Sequence, residues 1–127
     1  MKTVISTTEA PAAIGPYSQG IAAGPFIFCS GQIPLDPASG QLVGGDVSRQ
    51  TERVLQNIKA LLGTQGIGLE NVVKTTVFMT DLAKFDEMNL VYGTYFPGQP
   101  PARSTIQVAA LPKGANVEIE AIAVKSS

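Results

Sequence analysis

Histidine is absent from this sequence, and cysteine occurs once, at Cys29. Without an imidazole, the Ser-His-Asp and Cys-His arrangements of nucleophilic catalysis are excluded, as are most zinc and non-haem iron sites. A disulfide within the chain is also excluded. Because Cys29 ends the apolar run Phe26–Cys29, we interpret it as a small buried hydrophobic residue rather than a reactive thiol. Any catalysis therefore proceeds without imidazole.

Charged residues and long hydrophobic runs are also scarce. Charged side chains make up 15% of the 127 residues, and the formal net charge is -1. No segment clusters lysine and arginine as a phosphate backbone would require, which argues against nucleic-acid binding. No apolar stretch approaches a membrane span, and the residues before Thr7 contain no signal-peptide core. The chain, 44% hydrophobic, is predicted to form a single cytoplasmic domain over residues 1–127.

Alternation and helical periodicity divide the chain into strands and helices. Two short strand-like runs flank a Gly24-Pro25 turn. Apolar residues then recur every three or four positions from Asp46, which is suited to cap a helix, to Gly63 or Gly66, which are suited to end it. The predicted elements are strands 17–23 and 26–33, that helix, a strand over 72–80, a second helix from near Asp81 to before Pro97, and strands 103–110 and 117–124.

The order β-β-α-β-α-β-β predicts an α+β fold, a six-stranded mixed sheet with two helices on one face. Two helices cannot cover both faces, so self-association is expected to bury the other. In the second helix, Asn89 follows Phe85 by four residues and precedes Tyr92 by three. Its amide is therefore expected to point toward packed surface and to find hydrogen-bond partners there.

The last two predicted strands carry the residues suited to chemistry. Arg103 shares one strand face with Thr105 and Gln107, and Glu118 shares a face with Glu120. A guanidinium near a strand end suits a carboxylate ligand, and a partly covered glutamate can activate water. These residues predict a small anionic substrate, an arginine clamp and water chemistry. The alternatives are a strand-end arginine paired with a surface carboxylate, and glutamates that are ordinary rim charges.

Several motifs resemble those of the RidA (YjgF-like) family of enamine/imine deaminases. The segment Pro101-Ala102-Arg103-Ser104 and the later Val117-Glu118-Ile119 carry the resemblance, with Ala10-Pro11, Ile14–Tyr17, Ser30–Ile33 and Val73–Val77 in the usual order. The resemblance implies a chorismate-mutase-like fold and a homotrimer with a central barrel and ligand clefts between subunits. It also implies hydrolysis of 2-imino acids such as 2-iminopropanoate and 2-iminobutanoate to 2-keto acids and ammonia, with no metal or organic cofactor.

Residue roles follow from the same resemblance. Arg103 matches the arginine that clamps the substrate carboxylate, and Glu118 matches the glutamate that handles the attacking water. Thr105 stands where deaminase members often have cysteine, so it is expected to act through its size or backbone amide rather than as a thiol. The residues that match the lining of the family's cleft are Tyr17, Ser30, Gly31 and Asn89.

Strand register gives a separate reason to expect assembly. If the last two strands form a simple hairpin, Glu118 lies opposite Ala109, six residues from Arg103. That separation is about 20 Å along the strand, too far for both side chains to contact one small substrate, so a neighbouring subunit is expected to supply one of them.

Two alternative functions remain: a non-catalytic regulator that binds small carboxylates, and an RNA-acting or protein-holding role that the charge disfavours.

Overall fold

The computed structural model describes residues 1–125, and its six-stranded mixed sheet with two helices confirms the predicted α+β fold class. The predicted element order contains five strands, and the sixth is an N-terminal strand in which only Ile5 is buried. The elements are β1 (Lys2–Ile5), β2 (Gly20–Ala23), β3 (Phe26–Gln32), α1 (Val47–Gly63), β4 (Val72–Met79), α2 (Phe85–Tyr95), β5 (Ala102–Gln107) and β6 (Val117–Val124).

The strand order β1-β2-β3-β6-β4-β5 corrects the expected hairpin of the last two strands. β4 lies between β5 and β6, pairing parallel with the first and antiparallel with the second. The reason is that α2 connects the end of β4 to the start of β5, so β5 runs parallel to β4 and lies beside it at the edge of the sheet. Residues 108–116, with a short turn at Pro112–Gly114, then carry the chain back to the gap between β3 and β4.

Helix α1 follows the predicted pattern closely. Asp46 caps it, because the Asp46 carboxylate accepts a hydrogen bond from the backbone N–H of Arg49 at 3.0 Å. Its apolar stripe is buried against the sheet, as is the smaller stripe of α2. The core side chains with no more than 1% exposure include Val54, Leu55, Ile58, Leu61, Leu62, Val77, Met79, Met88, Val117 and Ile119.

The opposite side of the sheet, called here the open face, has no helix over it. Alternation on β3, β4 and β6 places Phe28, Thr76, Glu118 and Glu120 on this side, and Phe28 remains 41% exposed. Apolar exposure of this kind is typical of a surface that another protein covers. Self-association through the open face stays a prediction. Within residues 1–125, no helix is both long and apolar enough to cross a membrane.

Candidate functional site

Arg103 lies on the edge strand β5, beside Thr75 of β4, on the side of the sheet that the helices cover. Its guanidinium carbon lies 5.5 Å from the ring centre of Phe85 and 4.7 Å from that of Tyr92, both on α2. These cation–π contacts orient the planar group. Among residues 1–125, no carboxylate lies within 4.0 Å of Arg103, so the alternative of a surface ion pair finds no partner there.

Tyr92 is itself held in place beneath Arg103. Its hydroxyl is 2.7 Å from the Thr75 hydroxyl, and the phenol is buried. Burial raises the pKa of Tyr92, while the hydrogen bond between Tyr92 and Thr75 and the charge of Arg103 act in the opposite direction. The phenol therefore remains a neutral ring that supports the guanidinium. The spacing of Phe85 and Tyr92 in the sequence indicates only that both lie on the apolar face of a helix. It does not indicate that this face contacts an arginine on the edge strand, so their role could not be predicted.

Thr105 lies two residues after Arg103 on the same strand face. Its hydroxyl oxygen is buried and has no hydrogen-bond partner among residues 1–125. An unpaired buried hydroxyl costs about 1–3 kcal/mol, so a group that bonds to it recovers that energy. Thr105 therefore offers a polar contact beside the Arg103 guanidinium.

Glu118 lies on the open face, opposite Phe78 of β4, and reaches toward Gly31 of β3. A Cβ atom at position 31 would collide with the Glu118 carboxylate oxygen Oε2 and lie 2.9 Å from Cδ. Gly31 is thus the residue that leaves room for the carboxylate. Ser30 and Gly31 together oppose the single residue Glu120, which makes this part of β3 a β-bulge.

The surroundings of Glu118 shift the pKa of its carboxyl upward. Partial burial is the larger cause and the negative charge of Glu120 the smaller, and both raise the pKa of the Glu118 carboxyl above its usual value. A carboxyl with a raised pKa is better suited to give and take protons near neutral pH. By contrast, burial raises the pKa of the Cys29 thiol to about 12, in keeping with its interpretation as a buried apolar residue.

Ser30 connects the bulge to the segment that carries Tyr17. The Ser30 hydroxyl donates to the carbonyl oxygen of Ser18 at 2.5 Å, and the Ser30 backbone N–H donates to the carbonyl oxygen of Gln19 at 3.0 Å. Tyr17 precedes β2 rather than beginning it, and its ring is exposed. The Tyr17 hydroxyl accepts a hydrogen bond from the N–H of Ile14 at 3.3 Å. The structure therefore brings Ser30, Gly31 and Glu118 together, with the Tyr17 segment attached.

Asn89 does not point into packed surface as expected. It is exposed, and its side chain makes no hydrogen bond within residues 1–125. The physical reason is that α2 lies over the edge strand, so part of its inward stripe extends past the sheet. Asn89 nevertheless lies one turn from both Phe85 and Tyr92, on the side of α2 that meets Arg103.

The predicted site residues thus form two groups on opposite sides of the sheet. The arginine group comprises Arg103 and Thr105, with Asn89 nearby. The glutamate group comprises Glu118, Ser30 and Gly31, with Tyr17 nearby. The expected separation of Arg103 and Glu118 rested on a hairpin of the last two strands, which is absent from the structure. The two residues are nevertheless separated, because they lie on opposite sides of the sheet within one chain. In the described residues, no cluster of three or more acidic, cysteine or histidine side chains could hold a metal ion.

Comparison with known proteins identifies the relatives of this chain. A family model described as Endoribonuclease L-PSP matches residues 7–125. The 2-iminobutanoate/2-iminopropanoate deaminase of Mus musculus is 53% identical over 98% of this chain and 93% of that protein. Protein DfrA of Myxococcus xanthus is 54% identical over 97% of this chain and 95% of that protein. The crystal structure of E. coli TdcF with bound serine matches with a TM-score of 0.93 at 45% identity, over 98% of this chain and 99% of that one.

Proposed function

Because the chain belongs to the RidA (YjgF-like) family, we propose that it hydrolyses small 2-imino acids to 2-keto acids and ammonia. The proposed substrates are 2-iminopropanoate and 2-iminobutanoate, and the role is control of reactive metabolites. The observation that carries the proposal is the Arg103 guanidinium, oriented by two aromatic rings and without a carboxylate partner in residues 1–125. A planar fork in this state suits the carboxylate of a small acid. The deaminases among the relatives support the choice of reaction.

The proposed mechanism needs few groups. Arg103 holds the substrate carboxylate, and Thr105 offers a hydrogen bond beside it. Glu118 takes a proton from water as the water oxygen bonds to the protonated imine carbon, which gives a carbinolamine. Proton transfer to nitrogen then allows the C–N bond to break. The hydroxyl oxygen forms the carbonyl, and its proton passes to the departing ammonia, which leaves as ammonium. Glu118, whose pKa is raised by burial, returns to its ionised state when it gives up its proton to the departing nitrogen.

Assembly is part of the proposal, because Arg103 and Glu118 lie on opposite sides of the sheet of one chain. We propose a homotrimer in which each cleft takes the arginine group from one chain and the glutamate group from its neighbour. The exposed Phe26 and Phe28 on the open face support such an assembly, since covering them removes apolar surface from water.

The direct test is to generate the imine in situ with a PLP-dependent dehydratase or an amino-acid oxidase, and to follow keto-acid and ammonia formation. The wild-type protein should accelerate both, and Arg103→Ala should lose most of the acceleration. Arg49→Ala is the matched control, because it removes an exposed arginine at the start of α1, away from both groups. Keto acid formed at the uncatalysed rate with pure wild-type protein would end the enzyme proposal.

Mixing two inactive variants tests the shared cleft. Arg103→Ala and Glu118→Gln proteins, denatured together and refolded, should regain some activity because certain mixed clefts contain both wild-type residues. Each variant refolded alone is the control. An active monomer by light scattering, or no recovery in confirmed mixed oligomers, would refute the shared cleft.

A second candidate function is a regulator that binds small carboxylates without converting them. The oriented guanidinium supports this function equally well, and TdcF, a relative, binds serine, which is not an imine. Binding of 2-oxobutanoate without any ammonia release from imines would favour the regulator. An RNA-acting role would instead show as binding that weakens steeply with salt.

A further inference from the structure

The segment between β1 and β2, residues 6–18, carries Tyr17 and has no regular secondary structure. Exposed segments of this kind are usually mobile unless side chains hold them. One buried polar residue makes most of the side-chain hydrogen bonds to this segment. Gln19, which immediately precedes β2, is only 5% exposed, although glutamine is mostly found at protein surfaces.

Every polar atom of the Gln19 side chain bonds to the backbone of this segment. Its Oε1 accepts from the N–H of Thr7 at 2.7 Å. Its Nε2 donates to the carbonyl oxygens of Thr7 at 3.0 Å, Ala10 at 3.2 Å and Pro11 at 2.7 Å. Two N–H groups therefore serve three carbonyl oxygens. The one amide therefore holds the backbone on both sides of the turn at residues 8–9, in the segment that leads toward Tyr17.

The backbone of Gln19 is hydrogen-bonded to Ser30, a residue of the glutamate group. Its carbonyl oxygen accepts from the N–H of Ser30, and the preceding carbonyl, of Ser18, accepts from the Ser30 hydroxyl. The following residue, Gly20, pairs with Cys29 in the sheet. Gln19 thus joins the Tyr17 segment, through its side chain, to the bulge that holds Ser30 and Gly31, through its backbone.

We propose that Gln19 is a positioning residue that latches the Tyr17 segment to the sheet and thereby fixes Tyr17 for ligand binding in the cleft. Gln19 touches no ligand itself. Its side chain lowers the cost of ligand binding by ordering residues 6–18 before the ligand arrives. The binding part of this inference rests on the proposed function, whereas the latch itself is a property of the fold.

The latch is tested by amide exchange in the full-length protein. Gln19→Met keeps the length of the side chain and its apolar packing but removes all four hydrogen bonds. The N–H of Thr7, which loses its acceptor, should exchange at least about tenfold faster. The N–H of Ser30, bonded to the backbone of Gln19, should keep its protection, and chymotrypsin should cleave faster after Tyr17. Unchanged Thr7 exchange, or equal loss of protection at Ser30, would overturn the latch.

A double-mutant cycle tests the action through Tyr17. Gln19→Met should weaken 2-oxobutanoate binding, measured by calorimetry, about tenfold in the wild-type background and hardly at all in Tyr17→Ala. It should raise KM much more than it lowers kcat. The same factor in both backgrounds would mean a merely structural role. Gln41→Met, at an exposed glutamine, is the matched control. If the wild-type protein neither binds a keto acid nor accelerates imine hydrolysis, the proposed function fails, and Thr7 exchange alone decides the latch.

Discussion

Replacement of Gly31 by alanine should separate the activity of this protein from its stability. Gly31 has no strained backbone angle, so the effect of alanine comes from space alone. The added Cβ would overlap the Glu118 carboxylate oxygen and lie 2.9 Å from Cδ and 3.2 Å from Cγ. Those atoms belong to the end of a flexible side chain rather than to the backbone. The carboxylate should therefore move aside while the sheet stays in place.

The size of the effect follows from the distances. Ordinary contact between a carbon and its neighbour is about 3.5–4.0 Å, so the carboxylate must withdraw by more than about 1 Å. Misplacement of about 1 Å in a reacting group costs on the order of 100-fold in rate. We expect Gly31→Ala to lower kcat about 100-fold, with a Tm change of no more than a few degrees, equivalent to about 1 kcal/mol.

The assay compares imine hydrolysis and thermal unfolding for Gly31→Ala and Gly44→Ala. Gly44 is the matched control because nothing lies within 4 Å of a Cβ built there. A third protein combines Gly31→Ala with Glu118→Asp, whose shorter side chain relieves the overlap. Glu118→Asp should therefore cost less activity in the Gly31→Ala background than in the wild-type background. Full activity of Gly31→Ala would refute the placement of Glu118 at the reacting centre.

Three further predictions concern the charges and rings of the two groups. Glu120→Gln removes a negative neighbour of Glu118, so the pKa of Glu118 should fall. Because the ionised form of Glu118 accepts the water proton, the acidic limb of the pH–rate profile should then move to lower pH. An unmoved limb would contradict the electrostatic effect of Glu120 on Glu118. Arg103→Lys should restore little of the activity lost in Arg103→Ala, since an ammonium lacks the planar fork, as steady-state kinetics will show. Tyr92→Phe keeps the ring under Arg103 but leaves the Thr75 hydroxyl unpaired. The free energy of unfolding, measured with denaturant, should therefore fall by about 1–3 kcal/mol. The affinity for a carboxylate ligand, measured by calorimetry, should change little.

Helix α1 could be predicted because its signals are local. The cap at Asp46, the apolar stripe and the terminal glycine all lie within one segment of sequence. The stripe can be buried against any apolar surface, so its prediction does not depend on knowing which strands it contacts. The faces of β5 and β6 were likewise predictable from alternation, which depends only on neighbouring residues. Arg103 and Glu118 were placed on strands correctly for this reason.

Strand neighbours were not predictable in the same way, since pairing joins residues far apart in sequence. Residues 111–116 have the composition of a hairpin turn, yet β4 separates the strands on either side. The role of Gly31 depends on that same pairing, because only the register of β3 with β6 brings it under Glu118. Gln19 gave no sequence signal either: its partners are backbone atoms, which every residue carries.

The separation of Arg103 from Glu118 is fixed by the hydrogen-bond ladder and not by side-chain conformation. One row across the sheet runs from Arg103 through Thr75 to Ala121, and another runs from Ile106 through Phe78 to Glu118. Glu118 is three residues from Ala121, an odd number, so it must lie on the other face. Moving it across would require a register slip that turns the buried side chains of β6 toward solvent. No loop movement in one chain achieves that, and a site that uses both residues therefore requires two chains.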